Sequence, residues 1–282
     1  MGKLILSAFA DEYDKDFETQ LKALRGFGID HLEIRFVNGK NVSALTDEDV
    51  AEVKALLKKY GIKISAIGSP LGKIRLDEDM DAHMELTERV CAIAKELDAK
   101  YVRMFSFYPP DGKRIEECRE EVIEALKRMV DIADSFGVTL CHENEARIYG
   151  ETAQSCLDVI EALGGRMRAV LDMGNFTLEG HDPINAYSLL KDKIEYFHIK
   201  DGFKGGIIVP AGKGDAKIEE ILSSYVKEYD RDVFVTLEPH LLTFDGLKDL
   251  TEVQLKNPYK YKDQHAAFVD AVDKFKEILI KI

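Results

Sequence analysis

The sequence predicts a single (β/α)8 barrel that spans residues 1–282. Three observations lead to this fold: short apolar segments alternate eight times with helical segments, glycines stand where helices should end, and no Gly-x-Gly-x-x-Gly turn follows the first apolar segment. Eight consecutive βα units favour a closed parallel barrel, because closure leaves no edge strand. The absence of the glycine-rich turn counts against the runner-up, an open doubly wound sheet.

Strands are expected at residues 4–9, 31–36, 62–67, 101–107, 138–143, 167–172, 194–200 and 232–238. Each is followed by a helical pattern, such as residues 47–60 after the second strand and 79–97 after the third. Gly28, Gly61 and Gly137 are expected to end helices in the left-handed conformation. The segment 241–262 is longer than a usual βα loop, which predicts either a cover for the barrel mouth or a surface for self-association.

Composition and charge exclude several classes of protein. The formal net charge of -13 opposes binding to nucleic acid or to an anionic membrane surface. Apolar runs fall short of the roughly 18 residues of a membrane span, and the first ten residues do not resemble a secretory signal, so a cytoplasmic location is expected. The four cysteines form no Cys-x-x-Cys pair and are expected to be reduced packing residues.

Four titratable residues stand at the ends of four successive strands. Glu143 ends the fifth strand and Asp172 the sixth, His198 lies near the end of the seventh, and Glu238 ends the eighth. Because side chains alternate along a strand, all four are expected to point into the barrel, at the C-terminal face where such barrels carry their active sites.

A divalent metal ion is the predicted companion of these four residues. Three carboxylates brought together in a low-dielectric interior repel one another unless positive charge compensates them. Three carboxylates and one imidazole form a mostly hard site that suits Mn²⁺, Mg²⁺ or Co²⁺, with Zn²⁺ also possible; the ligand type does not separate these ions, and Mn²⁺ is the one expected. Taken singly, an acidic residue at a strand end is more often a helix cap or an ion-pair partner.

Further residues are predicted to contact a substrate. Lys200 has the same parity as His198 and is expected to point inward. It could bind a substrate oxygen or act as an acid, or it could pair with a carboxylate such as Glu33. Glu33 and Arg35 share one face of the second strand, which predicts either contact with the substrate or an internal salt bridge. Further candidates for substrate contact are His240, two residues beyond Glu238, together with Asn175 and Arg147. Two other histidines, His83 and His181, are expected at the surface.

The order of motifs resembles the xylose isomerase-like barrel superfamily, in particular its sugar and sugar-phosphate isomerases and epimerases. The motifs are a Glu followed four residues later by Arg (Glu143 and Arg147), Asp-x-Gly-Asn (172–175), His-x-Lys-Asp (198–201), Gly-x-Gly-Asp (212–215) and a final Leu-Glu (237–238). The resemblance covers nearly the whole chain. It implies that Glu143, Asp172, His198 and Glu238 bind the metal. Because relatives are often dimers or tetramers, it also suggests a homodimer or homotetramer.

The resemblance also implies that Glu143 and Glu238 form an acid and base pair. The expected reaction removes a proton next to the carbonyl of a small ketose, aldose or polyol through a metal-stabilised enediolate, giving isomerisation or epimerisation. An inosose dehydratase-like lyase is an alternative, because the same enediolate can expel a β-hydroxyl. A non-catalytic sugar- or partner-binding barrel is another. Endonucleases of the superfamily are disfavoured by the acidic charge.

Two segments depart from the pattern of the ketose 3-epimerases. Asn175 stands where many of these enzymes carry a substrate-binding histidine, and the arginine that they place after the metal-binding histidine has no counterpart here. These two departures favour the inosose dehydratase-like members of the superfamily over the ketose 3-epimerases. The Gly212–Asp215 turn resembles a phosphate-binding loop, but Asp215 is expected to occupy its backbone amides and to disfavour phosphate.

Overall fold

Eight parallel strands form a closed barrel in the computed structural model, which describes residues 2–243 and 256–282. They are β1 (Leu4–Ala8), β2 (His31–Ile34), β3 (Lys63–Gly68), β4 (Tyr101–Met104), β5 (Thr139–Glu143), β6 (Arg168–Asp172), β7 (Ile194–Ile199) and β8 (Val233–Leu237). Neighbours along the chain pair in parallel, and β1 pairs with β8 from Leu4 opposite Val233 to Ala8 opposite Leu237. The predicted (β/α)8 fold is confirmed.

Helices cover the outside of the barrel. Among the described residues they are α1 (Phe17–Phe27), α2 (Asp47–Tyr60), α3 (Met80–Glu96), α4 (Arg119–Phe136), α5 (Ala153–Ala162), α6 (Met173–Glu179), α7 (Pro183–Leu190), α8 (Ile218–Glu228) and α9 (Gln264–Leu279). Gly28, Gly61 and Gly137 end α1, α2 and α4 with φ of 70°, 64° and 72°, as the sequence predicts. Two helices, α6 and α7, follow β6.

Two short antiparallel hairpins extend the mouth of the barrel, and the sequence patterns do not predict them. Phe36–Val37 pairs with Lys40–Asn41 after β2, and Asp201–Phe203 pairs with Ile207–Val209 after β7. Strand β4 is shorter than expected, because the Phe105 and Phe107 N–H groups donate to the carbonyls of Leu71 and Gly72 instead. These additions place extra backbone at the C-terminal face.

The four cysteines are buried and free. Residues 244–255, which belong to the long segment expected to cover the mouth or to mediate self-association, lie outside the described residues. Within the described ranges, none of the helices has the length and apolar character needed to cross a membrane.

His83 is buried in α3, so its expected surface position is wrong. Its Nε2 atom accepts a hydrogen bond of 3.0 Å from the Gly72 N–H group, and its ring contacts Phe107 edge-on. Gly72 has φ of 81°, and a Cβ atom there would lie 2.0 Å from the Phe105 carbonyl oxygen. Burial lowers the pKa of His83 to about 4, and the opposing charge of Glu78 does not restore it.

His83 is expected to make the fold less stable as the pH falls from about 6.5 to about 4. The unfolded imidazole titrates near 6.5 and the folded one near 4, so the unfolded state binds more protons in this window and stability falls with acidification. His83→Gln keeps an acceptor for Gly72 and does not titrate. Urea unfolding of both proteins from pH 7 to pH 4 should show their stability difference change by about 2 to 3 kcal/mol. A pH-independent difference would contradict this expectation.

Candidate active site

Four side chains meet at the C-terminal end of the barrel. One ligand atom from each of Glu143, Asp172, His198 and Glu238 lies within 4.8 Å of the others, and none of these residues is more than 4% exposed. Glu143 and Asp172 end β5 and β6, His198 lies in β7, and Glu238 follows β8 directly. The structure therefore brings together the four residues that the strand ends singled out.

Glu33 fixes the orientation of His198. The Glu33 Oε2 atom lies 3.1 Å from His198 Nε2, and Oε1 accepts a hydrogen bond of 2.9 Å from the Tyr196 hydroxyl. We assign a proton to Nε2, so Nδ1 faces Glu143 Oε1 at 3.1 Å and Glu238 Oε2 at 3.2 Å. Glu33, predicted to contact the substrate, is fully buried behind the imidazole, where its contacts favour an orienting role.

The arrangement around His198 Nδ1 fits a divalent cation. This buried atom has no aligned hydrogen-bond partner among the described residues, although carboxylate oxygens face it. Burial disfavours the imidazolium, but the charges of Glu33, Glu143 and Glu238 raise the pKa of His198 well above its usual value. The cluster therefore demands positive charge here, and its mixed oxygen and nitrogen donors are of the type that holds a divalent ion.

Lys200 and Asn175 connect the four residues. The Lys200 Nζ atom donates to Asp172 Oδ2 at 2.9 Å, to Glu238 Oε2 at 3.0 Å and to Asn175 Oδ1 at 3.0 Å. The ion-pair alternative thus holds for Lys200, with partners other than Glu33. Asn175 donates through Nδ2 to Glu143 Oε1 at 3.3 Å, and its backbone N–H donates to Asp172 Oδ1 at 2.8 Å. Asp172 therefore also caps α6.

Arg35 binds three carboxylates that come from the two ends of the chain. Its guanidinium donates to Asp11 Oδ2 at 2.9 Å, to Glu12 Oε1 at 3.4 Å and to Glu238 Oε1 at 2.8 Å. The group is fully buried and lies 4.1 Å from the centre of the Phe9 ring. Arg35 therefore joins the turn after β1 to the end of β8, instead of pairing with Glu33 on its own strand.

Arg103 is a second buried arginine, and it pairs with Glu143 as Arg35 pairs with Glu238. Its Nε atom lies 3.1 Å from Glu143 Oε2 as an ion pair without hydrogen-bond alignment, and Nη1 donates to the Ser69 carbonyl at 2.9 Å. Each of the two glutamates thus has one oxygen towards the cluster and the other beside a buried arginine. Lys200 is the third buried cation that contacts these carboxylates.

The charges at the mouth do not balance. Three permanent cations, Arg35, Arg103 and Lys200, face six of the seven buried carboxylates in the described part of the chain: Asp11, Glu12, Glu33, Glu143, Asp172 and Glu238. The seventh, Asp201, is bound by backbone N–H groups instead. With all six ionised and His198 neutral, as a metal ligand must be, the formal sum is 3 minus 6, or -3, and a divalent ion would bring it to -1. Without such an ion, the raised pKa values of His198, Glu12 and Asp172 mean that protons supply part of the missing positive charge.

Burial and neighbouring charges set the pKa values of the carboxylates in this cluster. Burial raises the pKa of Glu12 to about 8 and that of Asp172 to about 7. Burial also opposes ionisation of Glu143, but the positive charge of His198 outweighs it and lowers the pKa to about 2. The carboxylates nearest the imidazole are thus ionised and available as ligands.

His240 and Arg147 lie at different distances from the cluster. The His240 Nε2 atom is 3.5 Å from both Glu12 Oε1 and Glu238 Oε1, and the side chain is 10% exposed. His240 therefore borders the cluster. Arg147 is exposed, its backbone N–H donates to Glu151, and it lies outside the group of buried side chains.

Sequence reasoning missed three charged residues of the network. Asp11 and Glu12 follow β1 directly, at the same end of the barrel as the four predicted residues. Arg103 alternates with the apolar Val102 and Met104 in β4, which is the signal of an inward side chain. Alternation along the strand would have found Arg103, whereas Asp11 and Glu12 lie in a 3-10 turn (Ala10–Glu12) to which strand alternation does not apply.

Known proteins resemble this chain in sequence and in fold. A probable L-ribulose-5-phosphate 3-epimerase of Mycoplasma pneumoniae is 24% identical over 55% of this chain and 51% of its own length. An inosose dehydratase of Geobacillus kaustophilus is 24% identical over 56% of this chain and 55% of its length. The match thus spans about half the length of both curated relatives.

A solved structure agrees over the complete fold. The D-allulose 3-epimerase of Methylomonas sp. in complex with D-allulose superposes with a TM-score of 0.76 at 17% identity, covering 100% of this chain and 98% of that one. At this identity the likeness concerns the fold. The family model described as xylose isomerase-like TIM barrel matches residues 21–252. The chain therefore belongs to the xylose isomerase-like TIM barrel family.

Proposed function

We propose that this chain is a divalent-metal-dependent sugar isomerase or epimerase that moves a proton next to a carbonyl group. The observation that carries the proposal is the convergence of Glu143 and Glu238 on His198 Nδ1 from separate strands. The relatives named above, two of them sugar epimerases, support the same class of substrate. A non-catalytic barrel would not require two glutamates to share one site.

The metal would be held by Glu143, Asp172, His198 and Glu238. The mixed set of carboxylates and one imidazole favours Mn²⁺, with Mg²⁺, Co²⁺ and Zn²⁺ as alternatives. A bound divalent ion supplies positive charge that stabilises the oxygens of a substrate as its C–H proton leaves. Glu33 contributes by keeping the imidazole oriented through His198 Nε2.

The two glutamates carry out the proton transfer in this proposal. One carboxylate takes the proton from the carbon beside the carbonyl, and the electrons of the broken C–H bond form an enediolate. Return of a proton from the second glutamate, on the other face, inverts that carbon and gives an epimer. Return by the first glutamate to the neighbouring carbon gives the aldose or ketose isomer.

The remaining contacts hold these groups in place. Arg35 fixes the outer oxygen of Glu238, and Arg103 lies beside the outer oxygen of Glu143. The carboxylates therefore present defined oxygens to the substrate, which lowers the entropic cost of reaching the reactive geometry. Asn175, His240 and the more distant Arg147 are proposed to contact substrate hydroxyl groups.

A lyase is the second candidate, and Lys200 is the observation that favours it. Its buried ammonium group lies 3.0 Å from Glu238 Oε2, so an acid and a carboxylate stand side by side. After a glutamate has removed the C–H proton, the ammonium group can protonate a β-hydroxyl, which leaves as water while a C=C bond forms. The inosose dehydratase relative supports this alternative.

Loss of either glutamate is expected to lower proton exchange by about 10² to 10⁴-fold, which is the usual contribution of a positioned acid or base. Deuterium incorporation from D2O into a panel of ketoses is monitored by NMR in the presence of Mn²⁺. The assay compares wild type with Glu143→Gln and Glu238→Gln. Glu195→Gln, at the start of β7 and paired with Arg168, is the matched control and should exchange at the wild-type rate. Release of water without return of deuterium to the ketose would favour the lyase. Equal exchange in all four proteins would exclude the glutamates as proton carriers.

Metal affinity should depend on Glu33 as well as on the ligands. We expect His198→Ala to lose its one equivalent of metal, and Glu33→Gln to bind Mn²⁺ about 10 to 100-fold more weakly because the imidazole loses its anionic partner. Tyr196→Phe removes the other hydrogen bond to Glu33 and should change the affinity far less. Mass spectrometry gives the metal content and calorimetry the affinities. Retention of metal by His198→Ala would refute the proposed ligand set.

A further inference from the structure

A cavity of about 770 Å³ lies at the N-terminal end of the barrel, opposite the cluster of carboxylates. Residues at the starts of β2, β3, β4 and β8 line it, together with residues at the C-terminal ends of α2 and α3. Small-molecule sites in proteins commonly occupy about 300 to 1,000 Å³. The cavity is therefore large enough to hold a small organic ligand.

Apolar side chains and aromatic rings form much of the cavity wall. Leu57 and Leu97 are buried, whereas Phe234 and Tyr101 are only partly buried. The Phe234 ring contacts the His31 imidazole, with the ring centres 5.1 Å apart. The two partly buried rings present apolar surface that a flat apolar molecule would remove from water.

Four lysines line the same cavity. Lys54 pairs with Glu96 at 3.4 Å. The other three, Lys58, Lys63 and Lys100, form no ion pair with a residue in ranges 2–243 and 256–282. Their ammonium groups are exposed beside the apolar wall, so they are available to an anion from outside the chain.

The cavity carries an excess of positive charge in an acidic chain. Two carboxylates, Glu96 and Asp98, stand against the four lysines among the lining residues, which leaves two positive charges. The chain as a whole carries a net charge of -13. Burial and the charge of Lys63 lower the pKa of His31, so this imidazole is neutral near pH 7. Local positive charge of this kind attracts anions.

Stabilisation of helices does not account for all of these lysines. Lys58 lies in the last turn of α2, where a cation interacts favourably with the helix dipole. Lys63 begins β3 and Lys100 directly precedes β4, so both lie outside the helices. The cavity therefore has two lysines whose positions a helix-dipole role does not explain.

The glycine-rich turn at residues 212–215, the other place where an anion was considered, is occupied by the chain itself. The Gly212 and Gly214 N–H groups donate to Asp201 at 2.8 and 3.0 Å. The sequence prediction that Asp215 occupies these amides is wrong, because Asp215 is exposed and its backbone N–H donates to the Gly202 carbonyl. The lysines of the cavity are thus the better candidates for binding an external anion.

We propose that this cavity is a binding site for a small organic anion with a flat, aromatic body and one acidic group. The rings of Phe234 and Tyr101 contact the body, and Lys63 and Lys100 bind the acidic group. The site lies at the other end of the barrel from the proposed metal ligands, so its occupation does not depend on the proposed function.

The test measures binding of 8-anilinonaphthalene-1-sulfonate, a fluorescent aromatic anion, by fluorescence titration. The double variant Lys63→Gln with Lys100→Gln should bind it about tenfold more weakly than wild type, because two ion pairs with the sulfonate are lost. The matched control is Lys127→Gln with Lys227→Gln, which removes the same charge from exposed positions in α4 and α8 outside the cavity. This control should bind like wild type.

Three results overturn the proposal. They are a wild-type protein that binds no probe, equal affinities in wild type and the cavity variant, and an equal loss of affinity in the two double variants. The last result would show a general effect of net charge instead of a site.

A neutral probe tests the apolar part of the site. N-phenyl-1-naphthylamine has the same rings without the sulfonate, so it should bind equally to wild type and to both double variants. Phe234→Leu keeps the apolar volume but removes the ring, and it should weaken both probes by about 2 to 10-fold. Unchanged affinity of Phe234→Leu for both probes would place them outside the cavity and overturn the proposal.

Discussion

The crowding of carboxylates in a buried space is the constraint on which the rest of this site depends. The mouth of the barrel needs Glu143, Asp172 and Glu238 close together, and in a low-dielectric interior such a group is unstable without positive charge. The chain meets part of this demand with Arg35, Arg103 and Lys200, and the negative charge that is left provides the attraction for a divalent ion. The buried arginines and the proposed metal site are therefore two answers to one electrostatic problem.

The cations also give the two glutamates different surroundings. Glu238 is bound by Arg35 and Lys200, whereas Glu143 has an unaligned ion pair with Arg103 and a longer hydrogen bond from Asn175. The tighter contacts stabilise the ionised form of Glu238 more strongly, and a carboxylate so stabilised is a weaker base. Glu143 is on this argument the better candidate to remove the first proton, and Glu238 the better anchor for the cation.

The features that depend on local pattern could be predicted from the sequence. The alternation of apolar and helical segments predicted the eight strands, and the strand ends together with side-chain parity predicted the convergence of Glu143 with Glu238. Pairing between distant residues could not be derived in this way. Arg35 lies 203 residues from Glu238, and nothing in its own strand specifies that partner. The same holds for Asp201, whose partners were assigned to the nearer Asp215.

The barrel explains why these distant pairings are nevertheless well defined. Parallel strands deliver their C-terminal ends to one face, so the turn after β1 and the end of β8 become neighbours through the register of Ala8 with Leu237. Arg35 then lies where carboxylates from both can reach it, and Asp201 lies where the next loop folds over it. Both side chains replace, with groups of the chain itself, the charges that a ligand would otherwise bring. The mouth thus binds its own cations and turn amides internally, and the positive charge that its carboxylates still lack is what the proposed divalent ion would supply.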